Sequence, residues 1–173
     1  MIVLVRKKPQ GIYGGDYKMD ISKVVVFRTR DEEYGMPIEH VISIEKLEDI
    51  NVIPNMPYYM KGVVKVRGEL IPVLDTHQIF HRQHMTMDED VKLIVIQSDD
   101  ISAALIVKEA KEILDVQEDQ LKSISIGAFQ ATKYFEAVAS LEDRLITIIN
   151  PTLLLASLEN FTVVKEGMLS HQS

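Results

Sequence analysis

Three histidines stand at His77, His81 and His84. On a helix those steps, i, i+4 and i+7, bring three imidazoles to one face, which is the spacing of metal ligands. The chemistry that would follow is a bound metal ion, or a small molecule held against that face. No carboxylate at a helical spacing completes an H-E-x-x-H set. The competing reading is a short amphipathic helix whose Ile79 and Phe80 pack inward while the histidines face water. On that reading no metal or cofactor is expected.

Other chemical signals are weaker. Ser123-Ile-Ser-Ile-Gly127 is close to a nucleophile elbow, but the elbow needs glycine two places before its serine and position 123 is serine. Gly11, Gly14 and Gly15 could begin a phosphate loop, yet no lysine–serine pair follows them. Asp31-Glu32-Glu33 reads as a solvated hairpin tip. No nucleophile–base pair emerges, so the chain is not expected to be an enzyme. Arg67 is of another kind. At a hairpin tip its planar five-donor fork is free either to meet a partner's carboxylate or simply to stay in water.

Composition narrows the field. The 173 residues carry a net charge of −7, and no basic run exceeds Arg6-Lys7-Lys8, so nucleic acid is not an expected partner. There is no cysteine, which removes disulfides and thiolate chemistry and suits a reducing cytoplasm. The apolar start Met1–Val5 is too short for a signal-peptide core and has its charge on the wrong side. No apolar span approaches about 20 residues, so no membrane insertion is expected.

The elements that would position these residues centre on Ile53–Asp75. Pro54 and Pro57 hold the approach extended. Gly62 opens a β-like run, Val63–Val66, and Arg67-Gly68 is a tight turn in which Gly68 supplies a positive φ. Leu70–Leu74 returns, with Pro72 marking an edge or bulge. Asp75 then caps a short helix beginning near His77. Around this unit, residues 1–20 form an arm, and Ile21–Arg28 with Tyr34–Ile38 a first hairpin. Residues 39–50 fit a helix (Val41, Ile44 and Leu47) or a strand (Ile42 and Ile44). Met85–Asp90 is a loop, Lys92–Gln97 with Ile101–Val107 a hairpin, and Leu114–Leu121 polar and mixed. Phe135–Leu141 with Leu145–Ile149 forms a hairpin around Glu142-Asp143. Asn150-Pro151 starts a closing helix, asparagine as cap and proline at its first position. Leu154, Leu158 and Phe161 mark its buried face, Gly167 its end, and Met168–Ser173 a loose tail. The expected domain spans 21–160, with 161–173 as the end of the helix and the tail.

The order of elements occurs twice. Val63, Val66, Leu70, Ile71, Val73, Leu74 and Asp75 find Val138, Leu141, Leu145, Ile146, Ile148, Ile149 and Asn150, each 75 positions on. Val25 and Phe27 find Ile94 and Ile96 at an offset of 69. Two small β-barrels sharing an apolar seam would follow, neither holding much core alone.

The run Pro54-x-x-Pro57-Tyr58-x-x-Lys61-Gly62-Val63-x-x-x-Arg67-Gly68-x-x-Ile71-Pro72-Val73-x-Asp75 resembles the signature of the CheW family of chemotaxis coupling proteins. The similarity extends over about Lys23 to Leu158, taking in Phe27, Glu33-Tyr34-Gly35-x-Pro37-Ile38 and Val41-x-x-Ile44. It implies a mainly β fold of two orthogonal five-stranded SH3-like barrels with a hydrophobic core between them. It also implies a non-catalytic adaptor that binds the cytoplasmic tip of chemoreceptors and the regulatory domain of the histidine kinase CheA. Carried over, Val41, Ile44, Gly62 and Arg67 are partner-binding positions. Gly68, Asp75 and Asn150 read as structural turn and caps, and Gly62 is also open to a backbone role. Departures stand at Lys65-Val66, at Thr76-His77, at Ser43 where an acid is usual, and at Lys108-Glu109-Ala110. They bear on which receptor or kinase is served.

Overall fold

The computed structural model describes residues 2–3, 21–99, 101–123 and 133–171. In chain order its strands are β1 (Ile2–Val3), β2 (Lys23–Thr29), β3 (Glu32–Pro37), β4 (Val41–Lys46), β5 (Met60–Val66) and β6 (Glu69–Asp75). There follow β7 (Lys92–Ser98), β8 (Ile101–Val107), β9 (Glu109–Asp115), β10 (Leu121–Ser123), β11 (Phe135–Leu141) and β12 (Arg144–Ile149). The helices are α1 (Thr76–His81), α2 (Pro151–Ser157) and α3 (Phe161–His171). One sheet runs β1-β4-β7-β8-β6-β5, the other β10-β11-β12-β3-β2-β9. Each is a five-stranded SH3-like barrel with one short strand added, β1 to the first and β10 to the second.

The repeat is real, and its register is kept residue by residue. A bulge falls between Met60 and Gly62 of β5 and between Phe135 and Ala137 of β11, 75 positions on. Another falls at Val41/Ser43 of β4 and at the matching Ala110–Glu112 of β9. Asp75 and Asn150 cap their helices at φ −89 and ψ 110 or 109. Their N–H groups donate to Tyr59 and Tyr134 carbonyls, both at 2.8 Å. The barrels, however, are not one per copy. The first hairpin of each copy crosses to the other barrel through a parallel pairing, β3 with β12 and β8 with β6. Strand partners this far apart leave no local mark in a sequence.

Exchange of hairpins explains the continuous apolar runs, since both faces of these strands are covered. Val24 and Val26 fill the second barrel and Val25 and Phe27 the seam; Leu93 and Val95 fill the first barrel and Ile94 and Ile96 the seam. Phe27, Tyr34, Phe80, Tyr134 and Phe135 form a chain of rings with centroids 4.8–6.0 Å apart where the barrels meet. Burial beside Glu32 and Tyr134 pushes the Tyr34 hydroxyl up to about 12. On the second sheet Arg144 reaches Glu33 of the crossed hairpin at 2.8 Å and Glu112 at 2.7 Å. These hydrogen bonds, Glu33's first, hold its guanidinium still more firmly protonated.

Several expectations need correction. Residues 39–50 resolve into a 3₁₀ turn, Ile38–His40, followed by β4. Strand β9 lies where no strand was read, because a charge-rich edge strand lacks the apolar run that marks a buried one. Pro72 is neither at an edge nor at a bulge. It sits in interior strand β6, just before the pairing to β8 begins at Val73. The closing helix is two: Leu158 caps α2, and Asn160 turns left-handed at φ 62 before α3 starts at Phe161. Leu154, Leu158 and Phe161 are nonetheless all buried in the seam. Gly167 lies inside α3, and Met168, far from loose, is in the same core. Of the arm, only Ile2 and Val3 are described; the Gly11–Gly15 run, positions 124–127 and residues 172–173 lie outside the described residues.

Candidate functional site

Hairpin β5–β6 carries the organising features. Val66 pairs with Glu69, leaving Arg67 and Gly68 as a two-residue tip at φ 51 and 85, a turn that follows the twist of its strands. Gly68 thus does what its position required, and a Cβ there would meet nothing within 4 Å. Arg67 shares the left-handed geometry, which glycine or asparagine takes more readily. Its side chain is exposed and forms no ion pair among the described residues, with neither Glu45 nor Glu69.

Below the tip is a cleft of about 290 Å³ lined by Glu45, Lys46, Glu48, Val64, Lys65, Val66 and Leu93. It lies between the end of β4 and the outer side of β5. Sequence reasoning missed it, because Glu45–Lys46 and Val64–Val66 belong to opposite ends of the sheet order and meet only when the sheet curls. Val41 and Ile44 sit on β4 but point inward, 2% and 9% exposed, in the seam core. The four positions expected to meet partners therefore do not make one patch: Arg67 is at the surface, while Val41 and Ile44 lie beneath the strand.

Gly62 has a backbone task. Its φ is 151, and a Cβ would fall 2.3 Å from the carbonyl oxygen of Asn51. Asn51 and Val63 exchange two N–H···O bonds of 2.9 Å each, so the incoming loop lies directly on this glycine. Gly62→Ala should lower stability by more than about 1 kcal/mol, as strain at a special φ does. Urea unfolding checks this, and an unchanged midpoint would mean that the loop yields without cost.

Asp75 is fully buried. One carboxylate oxygen accepts from His77 and Gln78 N–H at 2.8 and 3.3 Å. The other accepts from Met85 N–H at 3.3 Å and lies 3.6 Å from the Lys61 ammonium. Its twin Asn150 accepts from Leu153 N–H at 3.1 Å and donates to Glu136 at 3.3 Å, Glu136 standing where Lys61 does. Both caps are structural, as read.

The histidines do not share a helical face. Arg82 turns left-handed at φ 55 and ends α1 at His81, and His84 lies beyond it, 2.8 Å from the Lys61 ammonium. No glycine announces this stop, so continuing the helix was the natural reading. His77 and His81 pack edge to face at 5.7 Å instead of facing water, and both ring nitrogens of His77 are buried without a hydrogen-bond partner among the described residues. No group of three potential ligands gathers among the described residues. The metal-binding reading has no support.

His81 has a measurable consequence. Burial lowers its pKa below the usual 6.5, opposed by Glu32 at 3.4 Å and reinforced by Arg30 and His77. The unfolded chain therefore takes up this proton more readily than the folded one. Its effect on stability should be nil above about pH 6.5 and grow unfavourable as pH falls through that range. Melting temperatures between about pH 7 and 5 should drop less in His81→Gln than in wild type; parallel curves would contradict this.

With the geometry set out, similarity to known proteins decides the family. The model of the CheW-like domain matches residues 23–159, most of the chain. The chain belongs to the CheW-like domain family. It is 29% identical to chemotaxis protein CheW of Bacillus subtilis over 135 residues, 78% of this chain and 86% of that protein. It is 26% identical to chemotaxis protein CheW of Klebsiella aerogenes over 151 residues, 87% and 90% of the two. Among solved structures it is similar to the scaffolding protein TtCheW of Thermoanaerobacter tengcongensis, with a TM-score of 0.70 and 26% identity, covering 83% of this chain and 93% of that one. The Pro54–Asp75 run, whose pattern resembles that family, lies within the matched region and forms the β5–β6 hairpin with its exposed arginine and the cap of α1.

Proposed function

We propose that the chain is a non-catalytic adaptor of chemotaxis signalling, coupling the cytoplasmic tips of chemoreceptors to the regulatory domain of a CheA-type histidine kinase. The observation that carries this reading is the family match over most of the chain, joined to relatives named as chemotaxis proteins and a solved structure named as a scaffolding protein. An adaptor needs a rigid frame and a contact surface. The shared seam supports the first, and the exposed Arg67 beside a charged cleft supports the second. On this reading Arg67 meets a partner carboxylate, the cleft takes an adjoining side chain, and Val41, Ile44 and Gly62 hold β4 and β5 in the shape that presents them. The work is done in the cytoplasm; among the described residues no helix is long and apolar enough to cross a membrane.

Isothermal titration of the purified chain against the kinase regulatory domain, and against a receptor-tip fragment, tests the proposal. Saturable binding to each is expected. Binding to neither would contradict it.

A further inference from the structure

The repeat sets side by side the two contacts at which a helix meets a crossed hairpin. Helix α1 meets the end of β2–β3, with Phe80 stacked on Tyr34 at 4.8 Å and His81 Nε2 lying 3.4 Å from Glu32. Helix α2 meets β7 at the matching end of β7–β8. Thr29 pairs with Glu32 as Ser98 pairs with Ile101, 69 positions on. At the same offset Arg30 and Asp99 both turn left-handed, at φ 56 and 51. His77 stands two places after the cap Asp75, and Thr152 two places after the cap Asn150. Thr29 and His77 therefore hold the places of Ser98 and Thr152.

The two contacts are closed differently. Ser98 and Thr152 share a hydrogen bond of 2.7 Å between their hydroxyls. Thr29 is fully buried, yet its hydroxyl has no hydrogen-bond partner among the described residues, and neither buried ring nitrogen of His77 has one. His81 Nε2 is also buried without a hydrogen bond among those residues, with Glu32 near it at ion-pair distance only. A buried polar group without a partner bears the cost of its lost hydration, which any movement that readmits water relieves. The closed form is penalised at α1 and not at α2.

We propose that the α1 contact is a proton-sensitive hinge in the seam. The Thr29–Glu32 end of its hairpin swings away from α1 in a local opening, while the Ser98–Ile101 end of the other hairpin stays on α2. In the closed contact His81 is faced by His77 on its own helix and by Glu32 and Arg30 on the hairpin. Burial, reinforced by Arg30 and His77, outweighs Glu32 and resists a proton on the ring. The open form takes up that proton more readily, so opening grows as pH falls through about 6.5. The hinge belongs to the chain itself and operates whichever partner the chain serves.

Amide exchange of the full chain, corrected for intrinsic rates, tests it. At pH 7 the amides of the Thr29–Glu32 end should exchange about tenfold faster than those of the Ser98–Ile101 end. Between about pH 7 and 5 the opening at the first end should rise at least threefold in wild type and stay level in His81→Gln. Thr29→Ser with His77→Thr gives the first contact the pair of the second, and should slow its exchange to that of its twin. Ser98→Ala removes the twin's bond without touching α1, and should speed exchange at the Ser98–Ile101 end about tenfold. Equal exchange at the two ends in wild type, or a twin unaffected by Ser98→Ala, would overturn the hinge. A wild-type opening indifferent to pH, or one that rises equally in His81→Gln, would overturn its proton sensitivity.

Discussion

Replacing Phe27 with alanine should destabilise the chain by about 3–5 kcal/mol, the usual cost of emptying a well-packed aromatic site. Phe27 is completely buried in the seam, stacked on Tyr34 at 5.7 Å, and its twin Ile96 faces the same core. For a domain of this size the melting temperature should fall by roughly 10 °C. The loss should appear as one shifted transition and not as the melting of one barrel. Each barrel borrows a hairpin from the other copy, so neither has its full set of strands while the other is unfolded. Urea unfolding followed by both circular dichroism and tyrosine fluorescence checks this. A change below about 1 kcal/mol would show that the site collapses around the deletion. Two separated transitions would contradict the shared core.

Arg67→Glu should do the opposite: leave stability within about 0.5 kcal/mol and weaken binding by about 2–5 kcal/mol. Stability is spared because the side chain is exposed and makes no ion pair among the described residues. Arginine and glutamate also bear a similar penalty at the left-handed φ of 51. Binding suffers because reversing the charge turns attraction to a partner carboxylate into repulsion between like charges. Titration calorimetry alongside urea unfolding measures both halves. A variant that folds normally and binds at full affinity would remove Arg67 from the contact surface.

What could be read from the chain follows how local each feature is. The β5–β6 hairpin, its Arg67-Gly68 tip and the Asp75 and Asn150 caps are set by neighbours in sequence, and all are found where the residues placed them. The twofold repeat was legible because apolar positions recur at fixed offsets; the exchange of hairpins was not, because pairing β3 with β12 depends on residues more than a hundred positions apart. Strand β9 was missed because its charges blunt an edge, so that the pattern of a buried strand is absent. Helix α1 stops at Arg82 without glycine, and so His84 was carried onto a face it does not share. Arg67 could be placed at the exposed hairpin tip by residue type and turn position. The cleft could not, since it exists only where the curled sheet brings β4 beside β5.

The central claim is coupling, and the most direct measurement of it is kinase autophosphorylation with receptor-containing membranes, with and without the chain. The expected result is a rate that follows receptor state only when the chain is present, with wild type restoring the response and Arg67→Glu failing to do so. A kinase that responds to receptors equally well without the chain, or ignores them equally with it, would contradict the adaptor account.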